Sequence, residues 1–274
     1  MNNHFKKTTR VHTEVIRKKK YQGEKITVLT AYDHSMATLL DEAGIDILLV
    51  GDSAANMMAG HVTTIPITLD QMIYHASAVA RAAKRALVIA DLPFGSYQTS
   101  PEKAFESAVR MMKKTGVHGV KLEGGIRIKK TIEKITTAGI PVMGHLGLTP
   151  QSIHQFGTYA LIAQTEIEAE KLLHDAQILV EAGCFALVLE KIPTQLAAKV
   201  TTSITIPTIG IGAGKAVDGQ VLVIHDLLGM NKDFQPKFVR RYLNLHEQIN
   251  QAVKQYIEDV KKENFPNETE QYQT

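Results

Sequence analysis

The stretch Ile47-Leu48-Leu49-Val50-Gly51-Asp52-Ser53 decides the fold, because four apolar residues in a row are followed by glycine and two polar side chains. A run that is apolar throughout, with no alternating polar positions, indicates a strand buried on both faces, as in a parallel sheet. Similar short apolar runs recur along the whole chain. They lie at residues 26–31, 86–90, 119–122, 141–144, 185–189, 207–211 and 221–224.

Most of these runs are separated by longer segments in which apolar residues recur at helical spacing. Eight buried strands alternating with helices predict an α/β fold, a closed (β/α)8 TIM barrel; an open doubly wound sheet is the alternative. No linker rich in Pro, Gly or Ser divides residues 1–274, so we expect one domain with N-terminal and C-terminal helical extensions. Helical periodicity covers residues 237–261, and the polar tail 264–274 is expected to be disordered.

Composition excludes several classes of partner and location. The net charge is +3, and the excess comes from a basic segment in the first 20 residues, which predicts a solvated helix face or a phosphate-contacting arm. We therefore expect no nucleic-acid partner. No apolar segment is long enough for a membrane span, and no secretion signal is visible. Cys184 is the single cysteine, which favours a reducing compartment, the cytoplasm.

Polar side chains follow the predicted strands where each strand ends. Such barrels carry their active sites at the carboxyl ends of the strands. The chain places four carboxylates, a lysine and a histidine at these ends, so we expect them to converge on one rim. The residues are Asp52, Asp91, Lys121, Glu123, His145 and Glu190.

Taken singly, each of these residues has a plainer explanation: an Asp after a strand caps a helix, and a His or Lys there pairs with a neighbour. Together, crowded carboxylates repel one another unless positive charge lies among them. Mg²⁺ supplies that charge and binds through a few carboxylates, waters and substrate oxygens. There are too few His and Cys residues at these positions for a zinc site. We expect Cys184, near a strand start, to belong to the core.

The glycine run Gly210-Ile211-Gly212-Ala213-Gly214 invites a nucleotide-binding interpretation. The dinucleotide fingerprint needs a third glycine at the position that Lys215 occupies. In a barrel, loops after the seventh and eighth strands often bind an anionic group through backbone N–H donors, which we prefer to dinucleotide binding. Tight packing explains the run equally well.

Several ordered segments together resemble the ketopantoate hydroxymethyltransferase family. The segments include Val50-Gly51-Asp52-Ser53, Ala90-Asp91-Leu92-Pro93-Phe94, Lys121-Leu122-Glu123-Gly124-Gly125, Gly144-His145-Leu146-Gly147-Leu148-Thr149-Pro150-Gln151-Ser152 and Leu187-Val188-Leu189-Glu190. The matches run in family order from about residue 10 to 260. One departure is Ala54-Ala55, where the family has Leu-Gly; an alanine would strain the turn if that glycine had a positive φ.

The resemblance implies a role for each site residue. Asp52, Asp91 and Glu123 would hold one Mg²⁺ per subunit, directly or through water. The substrate would contact Asp52, Ser53, Asp91 and Lys121. Lys121 would bind the carboxylate group of the substrate. Glu190 would be the general base, with His145 as an accessory residue. Family members assemble as homodecamers.

The implied reaction transfers a hydroxymethyl group from 5,10-methylenetetrahydrofolate, the co-substrate, to the small keto acid 3-methyl-2-oxobutanoate. The product is 2-dehydropantoate (ketopantoate) in pantothenate and CoA biosynthesis, formed through a Mg-stabilised enolate. Two alternatives stay open. One is a Mg-dependent C–C lyase of the phosphoenolpyruvate mutase and isocitrate lyase type, whose lyases carry a cysteine on a mobile loop; the other is a non-catalytic barrel that binds a ligand.

Overall fold

The computed structural model describes residues 9–232 and 234–272, which fall into two compact units, the first ending at Val223 and the second beginning at Ile224. In the first unit the strands are β1 Ile26–Thr30, β2 Ile47–Val50, β3 Leu87–Asp91, β4 Gly119–Glu123, β5 Val142–Gly147, β6 Ala186–Glu190, β7 Thr208–Ile211 and β8 Gly219–Leu222. Its helices are α1 Thr13–Gln22, α2 His34–Glu42, α3 Ala54–Met57, α4 Leu69–Ala82, α5 Pro101–Thr115, α6 Lys129–Thr137, α7 Ile153–Phe156, α8 Glu166–Glu181 and α9 Thr194–Ser203.

The strands form a closed parallel barrel in chain order, in which β1 pairs with both β2 and β8. The (β/α)8 prediction is therefore confirmed, and the open doubly wound sheet is wrong. Strands β2, β3 and β4 are buried along their whole length, as their apolar runs predict, whereas β1 and β8 each have one exposed residue. Because all strands are parallel, their carboxyl ends meet at one mouth.

The last βα units depart from the regular pattern. The eighth strand begins at Gly219 and ends at Leu222, two residues earlier than the predicted run 221–224, and Ile224 belongs to a helix instead. No helix separates β7 from β8 in the described chain. The intervening loop holds the glycine run, in which Gly212 and Gly214 have φ of 64° and 80°. A Cβ on Gly214 would lie 2.4 Å from Thr194, so this glycine is needed for packing.

Helix α1 covers the amino-terminal end of the barrel. Its Ile16 is fully buried and belongs to the core cluster formed by side chains of the strands. Lys19 Nζ lies 2.9 Å from Asp46, just before β2, and Lys20 Nζ lies 2.8 Å from Asp218, just before β8. These two lysines thus pair with barrel acids, and the prediction of a solvated helix face is wrong for them; Lys6 and Lys7 lie outside the described residues.

The second unit contains α10 Ile224–Leu227 and α11 Leu245–Lys261. The predicted helix 237–261 therefore begins eight residues late, since residues 237–244 form turns and irregular structure. In the predicted tail, residues 268–270 form a short 3-10 turn capped by Asn267, and residues 273 and 274 lie outside the described chain. Disorder of the tail and a single domain over 1–274 stay predictions.

Among the helices of the described chain, none is both long and apolar enough to cross a lipid bilayer.

Candidate active site

The predicted site residues gather at the carboxyl ends of neighbouring strands. Asp91 and Glu123 are the last residues of β3 and β4, and Glu190 is the last residue of β6. Lys121 and Glu123 are two apart on β4, so their side chains leave the strand on the same side. His145 lies within β5, paired in register with Glu123, while Asp52 and Ser53 directly follow β2.

The ammonium group of Lys121 lies at the centre of this cluster. Its Nζ is 3.2 Å from Asp91 Oδ2, 3.9 Å from Glu123 Oε1 and 3.3 Å from His145 Nδ1. Burial alone would lower the pKa of Lys121, but Asp91, Glu123 and Asp52 hold it above its usual value. The lysine is therefore charged at neutral pH although only 5% of its side chain is exposed.

One oxygen of each acid is held by a hydrogen-bond donor. Asp52 Oδ2 accepts a hydrogen bond from the Gln151 amide at 2.9 Å, Asp91 Oδ2 accepts one from Asp52 N at 3.0 Å, and Glu123 Oε2 accepts one from Gln151 N at 3.0 Å. In the described chain, no donor reaches buried Asp91 Oδ1 or Glu123 Oε1 in hydrogen-bonding alignment. Buried polar atoms in folded proteins normally have partners, so these oxygens point to a missing cation or donor.

The single positive charge of Lys121 does not balance the negative charges of the three buried carboxylates. Burial raises the pKa of Asp52 to about 8, and the negative charges of Asp91 and Glu123 add to the rise. Burial likewise raises the pKa of Asp91. Burial would also raise the pKa of Glu123, but His145 and Lys121 bring it below its usual value. The positive charge of Lys121 therefore does not offset the cost of burying Asp52 and Asp91 together.

His145 connects this cluster to Glu190. Its Nδ1 is 3.3 Å from Glu123 Oε1 and its Nε2 is 3.4 Å from Glu190 Oε2. Burial and Lys121 would lower the pKa of His145, but contacts with Glu123 and Glu190 raise it to about 9. The two strand ends approach closely because Gly147 has no side chain: a Cβ there would lie 2.2 Å from Glu190 O.

Ser53 belongs to a second polar chain at the mouth. Its Oγ lies 2.7 Å from the Tyr32 hydroxyl, and the Tyr32 carbonyl contacts His75 Nδ1 at 2.7 Å. The neighbouring Ala54 and Ala55 begin the right-handed helix α3, and both are fully buried. The alanine at position 55 therefore causes no backbone strain, although it departs from the family pattern.

The three acids do not form a complete metal cage by themselves. Within residues 9–232 and 234–272, no three His, Cys, Asp or Glu side chains are gathered closely enough for that. The Lys121 ammonium lies within 4 Å of both Asp91 and Glu123 and pairs with them in place of a metal ion. Any cation here would be bound by one or two carboxylates and completed by water or substrate oxygens, the usual manner of Mg²⁺.

A sequence model of the ketopantoate hydroxymethyltransferase family matches residues 10–268. The chain belongs to this family. A 3-methyl-2-oxobutanoate hydroxymethyltransferase of Flavobacterium johnsoniae is 64% identical to it over 96% of this chain and 97% of that protein. The ketopantoate hydroxymethyltransferase family thus accounts for almost the whole sequence, and the resemblance deduced from the motifs is confirmed.

Solved structures show how widely the fold of this ketopantoate hydroxymethyltransferase barrel is shared. A phosphonopyruvate hydrolase in complex with oxalate and Mg²⁺ is 12% identical, with a TM-score of 0.61 over 95% of this chain and 93% of that one. A 2,3-dimethylmalate lyase of the PEP mutase/isocitrate lyase superfamily is 15% identical, with a TM-score of 0.58 over 93% and 89% of the two chains. At this identity the likeness concerns the fold alone.

Cys184 argues against the lyase alternative. The residue is 1% exposed and precedes β6, at the amino-terminal end of the barrel strands. Burial raises the pKa of its thiol to about 12. It is thus a core residue, as predicted, and it does not lie on a loop at the active-site end of the barrel.

Two residues of this ketopantoate hydroxymethyltransferase site were missed by sequence reasoning. Gln151 and Tyr97 are both buried among the acids, and the Tyr97 hydroxyl accepts a hydrogen bond from Glu123 N at 3.1 Å. Gln151 lies in a motif that was recognised, but it follows β5 by several residues, and only the fold brings it back over the mouth. Tyr97 lies in the loop between β3 and α5, where no periodic signal marks it.

Proposed function

We propose that this chain transfers a hydroxymethyl group from 5,10-methylenetetrahydrofolate to 3-methyl-2-oxobutanoate and releases ketopantoate. The observation that carries the proposal is the grouping of one buried lysine, three buried acids with two undonated oxygens, and the His145–Glu190 pair at one barrel mouth. This set can bind a keto acid and remove a proton beside its ketone. Membership of the family supports the same reaction.

Glu190 is the residue that removes the proton. Its side chain is 16% exposed, whereas those of Asp91 and Glu123 are 3% exposed, so Glu190 faces the substrate space while the others stand behind it. The proton on C3 of the keto acid passes to the Glu190 carboxylate, and the electron pair of the broken bond moves toward the ketone. C3 then attacks the methylene carbon of the folate, and the new C–C bond forms as one C–N bond of the folate opens. Water replaces the remaining folate nitrogen on that carbon, which supplies the hydroxyl oxygen of ketopantoate and releases tetrahydrofolate. His145 fixes the direction of the Glu190 carboxylate.

Lys121 binds the carboxylate of the keto acid. A charged ammonium in a buried site attracts an anion strongly because water screens it little. Ser53 stands beside Asp52, where its hydroxyl can donate to the same substrate. Both residues orient the acid so that C3 faces Glu190.

A divalent cation fits the remaining acids. Asp52 and Asp91 would hold it, with Glu123 acting through water, because buried oxygens of Asp91 and Glu123 lack aligned donors and the pKa of Asp52 is raised to about 8. When bound, Mg²⁺ would act as a Lewis acid on the keto oxygen. The phosphonopyruvate hydrolase of similar fold was solved in complex with oxalate and Mg²⁺, which supports this choice of metal.

We further infer a cytoplasmic homo-oligomer. One buried cysteine suits a reducing compartment. The apolar side chains of Ile249, Val253 and Tyr256 on α11 are about half exposed, which favours contact with other subunits. The homodecamer that the resemblance implies stays a prediction.

Proton NMR of 3-methyl-2-oxobutanoate in D₂O tests the proposal. With enzyme and Mg²⁺ we expect the C3 proton signal to disappear, EDTA to prevent the loss, and ketopantoate to form once methylenetetrahydrofolate is added. Folded, metal-supplied enzyme that gives neither exchange nor product would overturn the assignment.

A further inference from the structure

Gln151 makes more contacts with the acids than any predicted role explains. The residue lies in the 3-10 turn Pro150–Ser152 after β5 and is 4% exposed. Its side-chain amide donates to Asp52 Oδ2 at 2.9 Å and to the Leu92 carbonyl at 3.0 Å. Its main-chain N–H donates to Glu123 Oε2 at 3.0 Å. One residue thus holds two of the three acids.

The direction of the Gln151 amide is fixed by its partners. The Leu92 carbonyl can only accept, so the atom facing it is the NH₂ group. The Gln151 oxygen in turn accepts from the Tyr97 hydroxyl at 2.8 Å and from Gln98 Nε2 at 3.0 Å. A reversed amide would oppose two acceptors to each other at the Leu92 carbonyl. The donor therefore always faces Asp52.

The consequence lies in which oxygens remain free. Gln151 occupies Asp52 Oδ2 and Glu123 Oε2, while the other oxygen of Glu123 has no aligned donor. The two oxygens of Asp91 differ in the same way. Asp52 N and Lys121 Nζ both contact Oδ2, whereas Oδ1 has no aligned donor. Among the described acids of the site, Asp91 Oδ1 and Glu123 Oε1 are therefore the buried oxygens without an aligned donor, and Glu123 Oε1 also lies 3.3 Å from His145 Nδ1.

We propose that Gln151 is a positioning residue that holds one oxygen of Asp52 and one of Glu123 and so orients both carboxylates toward a divalent cation, and that Tyr97 fixes the Gln151 amide for this task. The proposal rests on the cation of the proposed function. Partners that orient metal-binding residues commonly change metal affinity by roughly 10–100-fold when they are removed.

Binding of Mn²⁺ to the enzyme without substrate, measured by the EPR signal of free Mn²⁺, tests the proposal. Gln151→Met keeps the length of the side chain and removes both side-chain donors. We expect its Kd for Mn²⁺ to rise roughly 10–100-fold. Tyr97→Phe removes the hydrogen bond to Gln151 Oε1 together with the one from Glu123 N, and it should raise the Kd in the same direction by roughly 2- to 10-fold. Gln177→Met, which loses one surface hydrogen bond to Ser203 O, should bind Mn²⁺ like the parent.

A second readout separates positioning from general damage. In Gln151→Met, saturating Mn²⁺ should restore most of the C3-proton exchange rate, because the base Glu190 is untouched, whereas the Mn²⁺ concentration needed should stay raised. Circular dichroism verifies that the measured protein is folded. If Gln151→Met does not fold, Tyr97→Phe carries the test alone.

A folded variant whose Kd stays within about twofold of the parent would overturn the positioning role, and so would a parent enzyme that binds no Mn²⁺. These results differ from failure of the proposed function, which is judged by exchange and product formation in the parent. A parent that exchanges the proton with Mn²⁺ while Gln151→Met binds Mn²⁺ normally would refute only the role of Gln151.

Discussion

At the residue scale, the acids of the mouth divide by their surroundings. Asp91 and Glu123 are buried against Lys121, whereas Glu190 is partly exposed and contacts Nε2 of His145. Chemically similar side chains are thereby assigned to different tasks. Substituting each acid by its amide tests the division, because the shape is kept and the charge is removed.

Glu190→Gln should abolish proton exchange at C3 while keto-acid binding persists. The amide cannot accept the proton, and general-base catalysis contributes roughly 10²–10⁴-fold. NMR exchange rates and ligand titration measure the two properties separately. Glu181→Gln, an exposed acid on α8, is the matched control. Exchange at the parent rate in Glu190→Gln would remove Glu190 from the role of base.

Asp91→Asn should raise the Mg²⁺ concentration needed for half-maximal exchange by at least about 10-fold, because it removes the charge of a predicted ligand. The matched control is Asp70→Asn, whose side chain is 71% exposed. A titration curve for Asp91→Asn that coincides with that of the parent would exclude Asp91 from the metal site.

At the element scale, His118 joins β3 to the segment before β4. Its ring Nδ1 accepts a hydrogen bond from Val88 N at 2.8 Å, and the main-chain N–H of His118 donates to Val88 O at 2.8 Å. Burial, together with the positive charge of Arg10, lowers the pKa of His118 to about 4. The folded state therefore requires the neutral ring.

We expect the free energy of unfolding to fall as the pH drops from about 6.5 towards 4. The unfolded chain binds a proton on His118 below its ordinary pKa, whereas the folded chain does not, so acid favours unfolding. His118→Asn keeps an acceptor for Val88 N–H and removes the titration, so its stability should depend less on pH in this range. Urea unfolding at several pH values measures both proteins; identical pH profiles would contradict the assignment.

The same scale shows where sequence reasoning succeeds and where it fails. Strands β2 to β6 follow from runs that are mostly apolar, because a strand with both faces buried has few polar positions, and those of β3 to β6 lie in the active site. The predicted position of β8 was two residues too late because Gly219 and Gln220 are not apolar. Gly219 packs against Ile26 O, and the exposed Gln220 donates to Gly214 O. Residues at strand ends could be predicted as a site, but Gln151 could not, since its approach depends on a loop crossing the mouth.

At the scale of the whole barrel, stability and chemistry lie at opposite ends. Ile16 of α1 is fully buried at the amino-terminal end, while the acids lie at the carboxyl end. Ile16→Ala should lower the free energy of unfolding by about 2–5 kcal/mol, because it leaves a cavity in the core. Mn²⁺ affinity should be unchanged in the folded variant.

The control for this prediction is Ile167→Ala, the same substitution at a side chain that is 80% exposed. Its unfolding free energy should stay within about 0.5 kcal/mol of the parent. Urea denaturation and Mn²⁺ titration measure the two properties. Equal stability of both variants would show that α1 does not contribute to the barrel core.

The burial of Cys184 has a practical consequence. It is the chain's single thiol, and its pKa of about 12 leaves almost no thiolate at neutral pH while the barrel is closed. A thiol reagent can therefore label the protein only when β6 and its neighbours separate. The labelling rate thus reports how often the native barrel opens locally. Cys184 can serve as a natural probe of this opening, so no engineered cysteine is needed.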